Sequence, residues 1–328
     1  MRVLIAIVLA AMLGWGGYWF VGSAALDAKI NAWFGAEAAA GADVGNSAVS
    51  IEGFPSRFDV TVSNPYARDL ASGWGWKAPF VQVLSMTWKP WHLIAALPHD
   101  QEIDAPDGEG LQLHSARLMG SLLLHPGLSL KLNQAVLEGE TLALSSPAGW
   151  RWTAKKLVVA AQEDKSWKNG LRLGWQATAL APDSAVVAQV PDLGPVISDS
   201  HIDATYQLTA PVDRKFAAAG AHVTAVHLHD AHLTWGPLVV SAKGSLARGA
   251  DGRAQGTLAV TLADWRRLPD ALVALGLLQP SARALAARAL KVLAEAAGNP
   301  ETLQLPLALR GGRMTLGHLP LGPAPMLP

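Results

Sequence analysis

From Val49 onward, polar and apolar residues alternate one by one in stretch after stretch, and this limits what the chain can fold into. In Phe58-Asp59-Val60-Thr61-Val62-Ser63 the pattern is unbroken. Leu128, Leu130 and Leu132 alternate with Ser129, Lys131 and Asn133; Leu171, Leu173 and Trp175 alternate with Arg172, Gly174 and Gln176. The pattern recurs at Ile202, Ala204, Tyr206 and Leu208, at Leu258, Val260 and Leu262, and at Leu303, Leu305, Leu307 and Leu309. A period of two places alternate side chains on opposite faces of a sheet, so each stretch predicts a strand with one greasy and one wet side.

Turn sequences separate these stretches: Pro106-Asp107-Gly108, Ser146-Pro147-Ala148-Gly149 and Ala250-Asp251-Gly252. Asp251-Gly252, between Val239–Leu246 and Gly256–Leu262, predicts a hairpin. Strands following strands through short turns imply a long, curved, mostly antiparallel sheet. The period changes to helical over 264–298. Leu268, Ala271, Leu272, Leu275 and Leu278 precede a break at Pro280. Ser281 is the expected N-cap of a second helix lined by Leu285, Ala289, Val292, Leu293 and Ala296 and ended by Gly298-Asn299-Pro300. A short helix is also expected around Pro90 to Leu97. The fold class is therefore mainly β (α+β), with a late helical pair packed on the sheet.

The N-terminus differs from everything after it. Val3 to Leu26 carries no charge and would rise about 36 Å as a helix, enough to cross a bilayer. Leu4, Ile5, Ile7, Val8, Leu9, Trp15, Trp19 and Phe20 are its expected membrane contacts, with the aromatics gathered toward one end as at a headgroup layer. Arg2 ahead of the run favours export of the rest. A cleaved signal is the competing reading, given the small residues Ser23-Ala24-Ala25, but the run is long and ends in bulky aromatics. Leu26, Ile30, Trp33 and Phe34 continue at helical spacing, either near the headgroups or on the domain's own sheet. The expected organisation is an anchor over 1–26, a juxtamembrane helix and linker over 27–48, and a β domain over 49–328 whose halves meet near 191–195.

Composition excludes several functions. Basic and acidic residues balance at 26 each with no basic run, so no nucleic-acid partner is expected. The absence of cysteine removes disulfides, thiolate nucleophiles and Cys-based zinc sites. No G-x-S-x-G, G-x-G-x-x-G or P-loop sequence occurs. His222, His227, His229 and His232, with Asp230, suggest a metal site, and His227 and His229 would share a strand face. Without H-E-x-x-H spacing, a polar strand face explains them better. No catalytic residue, metal or cofactor is expected.

The phrase Ile51-Glu52-Gly53-Phe54-Pro55-Ser56-Arg57-Phe58 opens the first strand. Leu233-Thr234-Trp235-Gly236-Pro237-Leu238 precedes the hairpin and helical pair, and Leu305 to Pro323 reads LPLALRGGRMTLGHLPLGP. In this order, behind an N-terminal anchor, the phrases resemble the DUF2125 family of alphaproteobacteria. The final strands are more distantly similar to AsmA-like envelope proteins. The resemblance implies a role in envelope lipid transport or homeostasis. With the single apolar run and the missing catalytic motifs, the expectation is a non-enzymatic, single-pass protein of the inner membrane, mostly periplasmic, that handles phospholipid or another envelope lipid. Leu128, Leu130, Leu132, Leu142, Leu144, Leu171 and Leu173 are the candidate apolar groove. A scaffold that binds other envelope proteins is the alternative.

Overall fold

Most of the alternating stretches become strand. The computed structural model describes residues 1–216, 218–297, 301–317 and 319–327. The expected helix stop Gly298-Asn299-Pro300 and His318 lie outside them. Among the described residues nineteen strands follow one N-terminal helix, and the strand registers are antiparallel. Two compact units divide the chain: Met1–Leu124 with Ala143–Gly149, and His125–Leu142 with Trp150–Pro328. The 191–195 segment lies within the second unit, where Leu193 is buried.

The first unit begins with α1 (Arg2–Ala39), one continuous helix that takes in the anchor and the segment after it. Its strands are β1 (Asp43–Gly45), β2 (Ala48–Glu52), β3 (Arg57–Ser63), β4 (Tyr66–Arg68), β5 (Gly75–Lys77), β6 (Phe80–Met86), β7 (Lys89–Leu97), β8 (Asp100–Asp104) and β9 (Gly110–Leu124). β2, β3, β6 and β7 lie side by side and end on Leu118–Leu123 of β9. β1, β4, β5 and β8 form a second run ending on Gly110–His114 of the same strand. Registers Ile51↔Val60, Val60↔Val83 and Val83↔Ala95 gather one apolar face. Along α1, Gly16, Trp19, Gly22, Leu26, Ile30 and Phe34 recur every three or four residues and are at least half-buried. Of the two expectations for Asp27 to Ala40, packing on the domain is what forms: α1 lies against β1 and β2. Trp33 points outward.

The helix expected at Pro90 to Leu97 is strand β7 instead. Pro90 is tolerated because the β6–β7 register slips between Met86↔Lys89 and Ser85↔Leu93, leaving it outside the ladder with β6.

β10 (Leu132–Ser145) enters the second unit up to Leu142 and is followed there by β11 (Arg151–Asp164), β12 (Gly170–Ala181), β13 (Ile197–Leu208), β14 (Val223–Trp235), β15 (Leu238–Arg248), β16 (Ala254–Ala263), β17 (Thr302–Arg310), β18 (Arg313–Leu316) and β19 (Leu319–Pro323). From β11 onward each strand pairs with the next, a meander in chain order. The Asp251-Gly252 hairpin joins β15 to β16 as expected. The expected strand at Leu128 to Leu132 begins only at Leu132. Pro126-Gly127 turns the chain, and Leu130 adopts φ +51, which breaks the extended path, so Leu128 and Leu130 sit exposed in a loop.

The helices are α2 (Ser184–Gln189), α3 (Leu268–Ala274) and α4 (Arg283–Ala297). The helical pair is present, with two corrections. Ser281 lies inside a 3₁₀ turn (Pro280–Ala282) rather than capping the helix. The inward stripe of α4 is Leu290, Leu293 and Ala294, whereas Leu285 and Val292 face outward. The sheet claims the side from which Leu290 meets Leu262, Trp265 and Leu303, and one stripe leaves the other apolar positions unused.

Candidate functional site

The second unit's sheet keeps its two sides chemically apart. Cross-strand partners share a face. The registers therefore place Val159, Trp175, Ile202, Ala231 and Ala242 in one row across β11 to β15. One end of this apolar face is sealed by α2 and α3 over Val190, Leu193, Ile197, Trp235 and Leu238, and by α4 over Leu262 and Leu303. The other end is sealed where Val212, Phe216 and Leu327 pack on Ala204, Leu208 and Val226, and where Ala324 meets Leu309. The row between belongs to neither. Val159 is 38% exposed and Ile202 45%, with Leu173 and Trp175 half-buried beside them.

The phrase around Trp235 builds the sealed end. Trp235 is fully buried, and its Nε1 donates to the Gly194 carbonyl at 2.9 Å. Gly236 turns the hairpin at φ +53, and a Cβ there would lie 2.5 Å from the Leu193 carbonyl oxygen, so only glycine fits.

Of the predicted groove residues, Leu171 joins the sealed end near Tyr206 and Leu173 flanks the open row. Leu142 is buried, Leu132 and Leu144 are half-buried, and Leu128 and Leu130 lie in their loop. Val159, Trp175 and Ile202 form the open row instead. Their alternation was visible; which part of the face the helices leave uncovered was not.

The opposite face carries the histidines. His227 and His229 share it, their ring centroids 4.6 Å apart. His227 meets Ser245, and His229 meets Thr205. His201 is held at 2.8 Å by both Asp199 and Asp230 and stacks on His232. The hydrogen bond to Asp230, then that to Asp199, raises its pKa above the ordinary histidine value. Arg172 makes a two-pronged pair with Asp203 and holds that carboxyl below the usual range. A shallow depression of about 360 Å³ lies beside these groups over Val158, Ala160 and Gly174. Each polar group is engaged by a neighbour on the sheet. Among the described residues no three His, Asp or Glu side chains are arranged to share a metal ion.

The anchor residues separate into two sets. Leu4, Ile5, Ile7, Val8 and Leu9 are exposed on all sides of α1, as are Trp15 and Phe20 in part. Trp19 is buried, stacked on Phe58 with centroids 6.2 Å apart, and its Nε1 donates to the Arg57 carbonyl at 2.6 Å. Trp15 donates to the Pro55 carbonyl and Tyr18 to that of Thr87. The Gly-Phe-Pro-x-Arg-Phe phrase is thus the helix's docking turn. Gly53 at φ +96 accepts the N–H groups of Ser56 and Arg57, and Phe54 meets Trp19 edge-on.

The family profile described as "Uncharacterized protein conserved in bacteria (DUF2125)" matches residues 19–325, nearly the whole chain. The chain belongs to the DUF2125 family. The match begins at Trp19, the buried residue of the docking contact, and takes in the docking phrase and the Trp235 hairpin. No curated protein and no solved structure matches the chain.

Proposed function

We propose that this DUF2125 protein is a non-enzymatic, single-pass protein of the inner membrane whose periplasmic sheet binds or conveys lipid, as the AsmA-like likeness suggests. The observation that carries the reading is the row Val159, Trp175, Ile202, Ala231 and Ala242, apolar throughout and exposed at Val159 and Ile202, between two sealed ends. At about 4.8 Å between strands, five strands give it a length of about 19 Å, the scale of an acyl chain. Each CH₂ fully buried against apolar surface contributes about 0.8 kcal/mol, and one covered on a single side contributes less. The helix α1, long and apolar enough to cross a membrane, keeps the chain beside a source of lipid.

The test is native mass spectrometry and solvent extraction of the full chain released from membranes in mild detergent. Stoichiometric phospholipid that survives detergent exchange supports the reading; delipidated protein from every preparation sinks it. Protease access to the second unit in spheroplasts, but not in intact cells, tests the orientation. A scaffold role is favoured by the exposed Leu277, which follows α3, and Leu285 and Val292 of α4. Crosslinks from α4 to defined envelope proteins would support it.

A further inference from the structure

The anchor is too short to cross a bilayer before it reaches the domain. From Arg2, which bounds the apolar run, to Trp15, where docking begins, α1 rises about 20 Å. A hydrocarbon layer is about 30 Å thick. The missing length lies in residues 15–21, which touch the first unit through Trp15, Tyr18 and Trp19 and leave Phe20 and Val21 largely exposed. Hydrogen bonds fix what lies level with them: Pro55 beside Trp15, and Thr87 beside Tyr18. The neighbours in those two turns, Phe54 and Trp88, are 55% and 57% exposed.

We propose that the Gly53–Ser56 loop and the Thr87–Trp88 turn are membrane-inserted elements, seated with Phe54 and Trp88 at the boundary between headgroups and acyl chains. The backbone there is prepared for a dry setting. The carbonyls of Pro55, Arg57 and Thr87 accept from Trp15, Trp19 and Tyr18. The Ser56 carbonyl accepts from the N–H and hydroxyl of Thr87, and the Gly53 carbonyl from the N–H groups of Ser56 and Arg57. In water such loop carbonyls need no protein donor; in lipid each unpaired one is costly. Aromatic rings clustered at this end of α1, with Arg57 (paired with Asp59) and Lys89 next in sequence to the two turns, match the chemistry of a bilayer interface. The first unit is thereby held flush on the membrane rather than hanging from a tether.

This rests on α1 crossing the bilayer, and the experiment separates the two claims. The chain lacks cysteine, so single nitroxide labels can be placed on the full-length protein at Leu9→Cys, Phe54→Cys, Trp88→Cys and, at the far end of β9, Asp107→Cys. The proteins are reconstituted in phosphatidylcholine–phosphatidylglycerol vesicles, and collision with oxygen is compared with collision with an aqueous nickel chelate. The expected oxygen-to-nickel ratio at 54 and 88 is several-fold above that at 107 and below that at 9. If 9 reads as lipid while 54 and 88 match 107, the inserted turns are refuted and the anchor stands. If 9 also matches 107, both fall. Trp88 makes no aromatic contact with α1, so its label reports even if Phe54→Cys loosens the docking turn.

Discussion

Two residues of the second unit carry separable loads. Trp235 fills the sealed end and is the hydrogen-bond donor to the Gly194 carbonyl. Trp235→Ala leaves a cavity and an unpaired acceptor, and we expect it to destabilise the unit by about 3–5 kcal/mol, read from the urea midpoint of the full chain in detergent. His201 acts by charge. Its raised pKa means that the folded state holds the proton more tightly than the unfolded state. The stability it adds is present below its unfolded pKa of about 6.5 and is lost as pH rises through the folded value. Asp199 stays ionised throughout that window: burial opposes its charge, but hydrogen bonds from His201 and Gln176 outweigh it and lower its pKa. The groups facing His201 are Asp199, Asp230 and His232. The melting temperature of wild type should exceed that of His201→Gln most near about pH 6 and by least near about pH 9. Equal differences at both values would show that the pair of carboxylates does not hold the charged ring.

At the level of elements, strand identity was legible because a period of two leaves little choice. Phe58–Ser63, Gly170–Ala181 and Thr302–Arg310 all emerge where alternation is cleanest. Where alternation was borrowed across a turn, as at Leu128 and Leu130, or overridden by pairing, as at Pro90 in β7, local pattern misled. The inward side of α4 was hidden for a related reason: Leu285, Leu290, Val292 and Leu293 offer more than one apolar stripe, and only the sheet chooses. The docking of α1 was hidden because a Trp-rich helix end reads the same whether its rings meet headgroups or protein. Gly22 now discriminates. A Cβ there would stand 2.9 Å from the ring of buried Phe58. Gly22→Leu should therefore lift α1 from β3 while leaving the helix intact. Amide exchange across Ile51–Val60 should accelerate, with circular dichroism unchanged. Unaltered exchange would mean that the contact bears no load.

For the molecule as a whole, the question is whether the apolar face of the second unit is core throughout or core at its ends and binding surface between. The two readings assign opposite costs to a buried-face charge. Leu303 lies in the sealed end with no exposure, and Ile202, on the same side of the sheet, is 45% exposed. Leu303→Glu must desolvate a carboxylate without a partner and should prevent folding. Ile202→Glu can turn its charge to water when no lipid is present, so its thermal stability should fall by less than about 1 kcal/mol. With an acyl chain on the row, that same carboxylate meets hydrocarbon. Co-purified lipid should then drop several-fold in Ile202→Glu although the protein remains folded. A variant that keeps both its stability and its lipid would move the lipid elsewhere on the chain; one that unfolds like Leu303→Glu would make the whole face ordinary core. The open row thus separates function from stability, since a residue whose loss the fold tolerates but lipid retention does not has no reason to be apolar except what it holds.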